Sequence, residues 1–429
     1  MGTAGDGDSS ASPIFAAWPG PALECRRVDT ALRAGAMRPP LLRAFGLSEG
    51  TPCHVVDAKY EAGSSCVVLY QLGEHLATGV LSFDDAGHPD DGGVRVHPGM
   101  RAFLFPDDPK LPGLRAAMDP REVTRVLGEG GRSRTRLTLL RYRPGKRATI
   151  RIDVRRDRGA WGLIGKVYSD QRKAAAVYEE ALALTRALEH AGRVCVARPE
   201  GLVAELGMVV WQRVAGAELE PHLDTARGVA HVRAAAEALA AVHALPPVSA
   251  RTRPVTAELE RFHRRAMNVA RVAPAAGRRL TELATALVER ATQVDHAPAG
   301  LVHGDCKPSQ FRIDGSQLAL LDFDHCGLAD PASDVGTFLA SLRQRTRGAL
   351  EAPFFETYAS RVHAGSALRD AVAWYESVAL LRKALRAFAR APRSPVPALL
   401  AREGLRGLEP SPEATGPSVH AATAAGRPG

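Results

Sequence analysis

Lysine is scarce in this chain. Among 56 Lys and Arg residues it stands only at positions 59, 110, 146, 166, 173, 307 and 383, so an ammonium inside an apolar stretch is an uncommon choice. Aromatic residues fill 5% of the 429 positions, and no basic stripe is interleaved with them. That excludes the stacking platforms that hold nucleic acid. The net charge of +9 is mild for this length and rests almost wholly on arginine. Cys25, Cys53, Cys66, Cys195, Cys306 and Cys326 form no C-x-x-C pair and no finger-type spacing with histidine, so free thiols are expected. No apolar run approaches the roughly 20 residues that cross a bilayer. The first residues, MGTAGDGDSSAS, are small and acidic rather than basic and then apolar. They do not read as a secretory leader, which implies a cytoplasmic location.

What is present concentrates between Leu301 and Leu342. Asp305 follows the apolar run Gly300-Leu301-Val302, and Asp322 follows Leu318 to Leu321. Between them, Asp314-Gly315 is a strong hairpin signal. A hairpin there would bring the two carboxylates to the same end of a small sheet. Such a pair suits phosphoryl transfer, in which one carboxylate positions a hydroxyl and the other holds a divalent cation on the phosphates.

Upstream, the chain reads as several segments. Residues 1–20 and 409–429 are Gly, Ser, Ala and Pro-rich and lack the means to form a core. Residues 21–115 show β-type alternation, with strands from His54 to Tyr60, Cys66 to Leu72 and Leu76 to Phe83, and end in the Pro-rich FPDDPKLPG. This segment parallels the next one. KYEAG (59–63) lies over RYRPG (141–145), and ATGVLS over IGKVYS, which sets Gly79 against Lys166. Two similar hairpins or a duplicated sheet both account for the likeness. Residues 116–215 give strands at 137–143, 147–154 and 162–168, an amphipathic helix from about 174 to 190 and an apolar strand, MVVWQRV, from Met208. Helices follow, ending at Pro246-Pro247 and broken by Pro353 and the cluster Pro392, Pro395, Pro397. His243 reads as a packed helix histidine.

His303-Gly304-Asp305, Gln310 five residues after the aspartate, and Asp322-Phe323-Asp324 resemble the paired motifs of kinases, H-R-D-x-x-x-x-N and D-F-G. Their wording is similar to the aminoglycoside phosphotransferase and choline-kinase family, and Gln310, where most members carry Asn, resembles the maltokinase branch. The resemblance implies an α+β fold of two lobes, a β-rich N-lobe and a mainly helical C-lobe (216–408), with an added β-rich N-terminal segment (21–115). It implies Asp305 as catalytic base within the His303 motif, Lys307 on the phosphates, and Asp322, Asp324 and Gln310 as metal ligands. Lys166 matches the strand lysine that pairs the α and β phosphates, with Glu180, or its neighbour Glu179, clamping it. Pro144-Gly145-Lys146-Arg147 joins the first two strands and is the phosphate loop by topology, whereas Gly128-Glu129-Gly130-Gly131 is the candidate by composition. Gln212, Arg213 and Val214 match the hinge that reads the base. Asp330-Pro331 with Asp334 anchors the following helix.

The expected activity is transfer of the γ-phosphoryl group of ATP (or GTP), with Mg²⁺, to a hydroxyl of a small molecule. Between Ser341 and Gly407 arginines outnumber acids. That favours a sugar or another hydroxylated metabolite over a polycationic aminoglycoside. The competing reading is a pseudokinase-like binding or regulatory module, motivated by Gln310, the weak phosphate loop and the long N-terminal extension.

Overall fold

A computed structural model describes residues 22–83, 92–128, 133–156, 159–191, 195–249, 251–315, 317–346, 348–363 and 365–409. Residues 1–20 and all but Glu409 of the tail 409–429, both expected to be disordered, and Gly130-Gly131 lie outside them. The chain opens with two helices, α1 (Ala22–Leu32) and α2 (Ala34–Phe45), where β structure was expected. Val28, Ala31, Met37 and Leu41 are buried along one side of the pair, a helical period. Gly35, Pro39 and Pro40 within the second helix masked it, because both residue types disfavour a helix interior.

Five strands follow, β1 (Cys53–Glu61), β2 (Ser65–Leu72), β3 (His75–Ser82), β4 (Val94–His97) and β5 (Met100–Leu104), in the sheet order β1-β2-β3-β5-β4. Short helices α3 (Leu114–Ala117) and α4 (Pro120–Val126) lead to β6 (Arg134–Arg143), β7 (Arg147–Arg156) and β8 (Gly159–Tyr168). Helix α5 (Gln171–Ala191), then β10 (Pro199–Val203) and β11 (Met208–Gln212) complete the N-lobe, while the short β9 (Cys195–Val196) between them pairs with a C-lobe strand. Its sheet has the order β10-β11-β8-β7-β6.

The two five-stranded sheets therefore share one topology. Both first hairpins close over three residues, Glu61↔Ser65 and Arg143↔Arg147, with Gly63 and Gly145 at φ +77 and +66 in the turns. Ser65↔Ser82 and Arg147↔Tyr168 then set the third strands in equivalent register. That register makes Gly79 the counterpart of Gly165, and Val80, not Gly79, the counterpart of Lys166. Each glycine is crowded by a methionine of the adjoining strand, Met100 or Met208. A hairpin coincidence does not account for five strands and a shared Gly–Met contact.

The C-lobe continues with β12 (Ala217–Glu218), helices α6 (Gly228–His243), α7 (Val255–Val272) and α8 (Pro274–Arg290), and strands β13 (Gly300–Val302), β14 (Phe311–Asp314), β15 (Gln317–Leu320) and β16 (Gly327–Ala329). Helices α9 (Ala332–Thr346), α10 (Glu351–Val362), α11 (Ala367–Arg390) and α12 (Val396–Gly407) end it. Pro353 does not break the run. It lies in the first turn of α10, where a missing N–H costs nothing. Strands β14 and β15 form the expected hairpin, but β13 pairs with β16 in a separate two-stranded sheet. Asp305 and Asp322 thus come from two sheets rather than one.

The N-terminal segment packs on both lobes. Leu69, Leu111 and Leu114 are buried with Tyr142, Ile150 and Ile152 of the N-lobe. On the other side Tyr60 stacks against Phe388 of α11, ring centroids 5.8 Å apart. The Pro-rich stretch is not a free linker. Asp108 is buried within it and accepts bonds from Tyr142 Oη at 2.8 Å and the Gly145 N–H at 2.6 Å.

Leu114→Ala should cost about 2–5 kcal/mol in denaturant unfolding, as for other fully buried leucines. The chain shortened to residues 116–408 should melt lower or lose solubility, because its partner surface is laid bare. A soluble 116–408 chain with an unchanged melting temperature would contradict the packing.

Candidate active site

The loop after β13 is held from beneath. Asp334, on the first turn of α9, is fully buried and accepts the backbone N–H groups of His303 at 2.6 Å and Gly304 at 2.9 Å. Burial pushes its carboxyl up, but the His243 ring at 3.2 Å and these amides outweigh burial and hold it below the usual range. Asp334 therefore anchors the loop more than the helix, and Asp330 caps the helix through the Ala332 N–H at 2.9 Å. His243 is packed as expected, with its second nitrogen 2.7 Å from Tyr358 Oη.

His303 is wholly buried. Its Nε2 donates to the Leu321 carbonyl at 2.8 Å, and its Nδ1 accepts the Asp305 N–H at 3.3 Å. Both nitrogens are used, so the ring ties the loop after β13 to the end of β15 and does not reach a substrate. It positions Asp305 rather than reacting.

Asp305 faces the cleft and accepts from Lys307 Nζ at 2.6 Å. Burial raises its carboxyl, yet Lys307 and, further off, Arg386 leave it below its ordinary value. Gln310 turns its amide nitrogen toward Asp305, 3.5 Å away, and its backbone carbonyl accepts the Leu321 N–H at 2.9 Å. Its side chain thus meets Asp305, and its backbone ties it to the residue before Asp322.

Asp322 has φ +66, a left-handed conformation that costs a non-glycine residue of order 1–3 kcal/mol and clusters at functional sites. Its carboxylate and that of Asp324 converge on one cation. Lys166 Nζ, projecting from near the C-terminal end of β8, is 2.7 Å from Asp322 and 2.8 Å from Asp324. Arg147, from the start of β7, pairs with Asp324 and stands 3.7 Å from Asp322. Tyr168 Oη donates to Asp324 at 3.3 Å. Burial pushes Lys166 down to about 8, although Asp322 pulls the other way. The same cations drive Asp322 far below the carboxylate range against burial.

Two expected pairings differ. Glu180 does not clamp Lys166; it pairs with Arg251 at 2.8 Å. Arg251, just before α7, also donates to the Asp324 carbonyl at 3.1 Å, so it draws the helix glutamate while the aspartates take the lysine. Glu179 is exposed. In the β6–β7 turn, the Gly145 N–H is bound to Asp108 and Lys146 leans toward Lys59 and Glu61 of the N-terminal segment. Only Arg147 of that loop reaches the acidic cluster. At the hinge, the Gln212 N–H is bonded to the Arg198 carbonyl at 2.8 Å, and Arg213 pairs with Asp153 at 2.9 Å. The Val214 N–H bonds no described residue.

Arg143, Arg251 and Arg386 also sit at this cleft and were not singled out in the sequence. The repeated arginines of RYRPGKR held a weak signal, but nothing local distinguishes Arg251 or Arg386 among so many. Among the described residues no group of three His, Cys, Asp or Glu forms a dedicated metal cage. The Asp322–Asp324 pair nonetheless suits Mg²⁺, which takes one or two carboxylates and completes its shell with phosphate and water. The ammonium already seated between them shows that both oxygens aim at a single cation.

Asp334→Ala should lose about 3 kcal/mol or more of unfolding free energy, because buried amide donors are left unpaired. Asp334→Asn, which keeps one acceptor, should lose less. A loss below about 1 kcal/mol in the alanine variant would remove Asp334 from its anchoring role.

The profile of the phosphotransferase enzyme family matches residues 151–375. No curated protein matches the sequence. Among solved structures, the chain is similar to choline kinase LicA from Streptococcus pneumoniae, at 12% identity over 64% of this chain and 92% of that one, with a TM-score of 0.46. It is also similar to a choline/ethanolamine kinase family protein from Mesorhizobium loti, at 17% identity, covering 70% and 95%, TM-score 0.45. A third is amicoumacin kinase hAmiN in complex with AMP-PNP and Ca²⁺, at 13% identity, covering 62% and 87%, TM-score 0.46. The profile spans more than half of the chain, which folds into a β-rich N-lobe and a mainly helical C-lobe with the acidic cleft between them: this chain belongs to the phosphotransferase enzyme family.

Proposed function

We propose that the cleft binds ATP (or GTP) with Mg²⁺ and passes the γ-phosphoryl group to a hydroxyl of a small, non-cationic metabolite. The observation that carries this reading is the pair of acidic centres, Asp305 on one loop and Asp322 with Asp324 on the other, locked together through His303. Mg²⁺ would be held by Asp322 and Asp324, with Gln310 nearby, and would supply neutralisation of the phosphate charge. Lys166 and Arg147 then turn from the carboxylates to the phosphates. Asp305 orients the acceptor hydroxyl and takes its proton as the acceptor O–P bond forms and the bond to the β,γ-bridging oxygen breaks. The nucleoside diphosphate leaves with the released electron pair. With its carboxyl held low by Lys307, Asp305 is a weak base, so it acts mainly by orientation and accepts the proton late.

The acceptor side argues against an aminoglycoside. Asp305 is flanked by Lys307 and Arg386, and Lys383 lies near Lys307. A polycation would meet repulsion there. The sugar or hydroxylated-metabolite reading, with the N-terminal segment as a cap over the cleft, fits this charge.

A silent nucleotide-binding module is the second reading, and one observation favours it: Lys166 and Arg147 already neutralise the aspartates. Two variants separate the readings. Asp305→Asn should leave nucleotide affinity nearly intact and lower turnover by about two or more orders of magnitude. Asp322→Ala should abolish Mg²⁺-dependent nucleotide binding in calorimetry. Equal effects of both variants on binding and turnover would overturn the division of roles. Mg²⁺-dependent binding without turnover of any sugar or aminoalcohol would favour the module.

A further inference from the structure

Helix α11 carries Arg382, Arg386 and Arg390 at four-residue spacing, which aligns them in one row on the helix surface. The outer two are paired. Arg382 binds both oxygens of Glu258, at 3.0 and 3.1 Å. Arg390 meets Asp57 of the N-terminal segment at 3.3 Å. Arg386, between them, makes no hydrogen bond or ion pair to a described residue. The carboxylates within its electrostatic reach are Asp305, already bonded to Lys307, and more weakly Glu258, already held by Arg382. Across the cleft, Arg143 at the end of β6 is half-buried and also lacks a side-chain partner among the described residues. It lies within reach of Asp322 and of Arg386.

Two guanidiniums from opposite lobes thus face one cleft mouth beside the residue that orients the acceptor. Like charges so placed repel each other. The fold supplies carboxylates to the neighbours of Arg386 in the same row and none to Arg386. Lys383, on the adjoining face, is bound to the Ala340 carbonyl at 2.9 Å and adds to the positive field. A planar guanidinium fork matches an oxyanion with two parallel bonds.

We propose that the acceptor carries, besides its reactive hydroxyl, an anionic group, a carboxylate or a phosphate ester, and that Arg386, with Arg143 opposite, holds that group beside Asp305. This rests on the kinase reading above and narrows its acceptor to a hydroxylated acid or sugar phosphate. A neutral sugar would leave both guanidiniums without a partner. Arg386 is then a specificity-determining residue that fixes the distance between the anion and the hydroxyl.

The test is calorimetric titration of inorganic phosphate, and separately of acetate, onto the full chain saturated with Mg²⁺·AMP-PNP. The expected result is one saturable site for at least one of the two anions. Arg386→Gln should weaken it at least tenfold, Arg386→Lys should restore part of it, and AMP-PNP affinity should change less than twofold. In turnover, D-glycerate or glycerol 3-phosphate should outperform glycerol, and gluconate or glucose 6-phosphate should outperform glucose. Preference for phosphate esters identifies the phosphate source, and preference for the acids the carboxylate. Absence of anion binding, binding unchanged in Arg386→Gln, or a loss of AMP-PNP affinity in its place would overturn the proposal. If AMP-PNP does not bind at all, the kinase reading fails separately, and titration of the chain alone still decides the anion site.

Discussion

The ammonium of Lys166, set between the carboxylates of Asp322 and Asp324, is the contact on which the cleft depends. It spans the two lobes and joins a central strand of the N-lobe sheet to the turn after β15. Charges this far from water are tolerated only when paired, and removing one partner of such a pair typically costs 3–5 kcal/mol. That constraint explains the surrounding order. Arg147 is drawn onto the same aspartates, Arg251 takes Glu180, and the left-handed backbone of Asp322 is held in place despite its strain. Lys166, Arg147, Arg251 and Lys307 have each found a carboxylate, whereas Arg143 and Arg386 have none among the described residues.

The N-terminal segment belongs to the same balance. Its first strand carries Asp57, Lys59 and Glu61, which address Arg390 of the C-lobe, the Lys146 turn of the N-lobe and Arg265 of α7. Asp108 binds the Gly145 N–H that an open phosphate loop would present to a nucleotide. A sheet with the topology of the N-lobe, but with Val80 in the place of Lys166, thus serves as a wall rather than as a second site. It packs on both lobes through contacts that include Tyr142 and Phe388, which lie outside the family profile.

Much of this was legible in the sequence, for reasons that can be named. The strands of the N-lobe, the β14–β15 hairpin and the two acidic centres have strong period-two patterning and turn signals, and the structure places them within a few residues of expectation. Helix α2 was hidden by Gly35, Pro39 and Pro40. The offset of the repeat was misjudged by one residue, because a likeness of letters does not fix strand register whereas hydrogen-bond pairing does. The partners of Glu180, Gly145 and His303 were not legible. They depend on Arg251, Asp108 and Asp334, which lie far away in sequence and carry no local mark. In a chain with this much arginine, no pattern tells the guanidiniums that meet a carboxylate from Arg143 and Arg386, which do not.

In the proposed reading the cleft cations neutralise the cleft aspartates until a nucleotide takes them over. Hydrogen-exchange mass spectrometry with and without Mg²⁺·AMP-PNP measures that exchange of partners. Added protection is expected in peptides covering residues 143–147, 163–168 and 301–326, with little change in α7 and α8. Unchanged exchange in those three regions at saturating nucleotide, or protection confined to other parts of the chain, would contradict it.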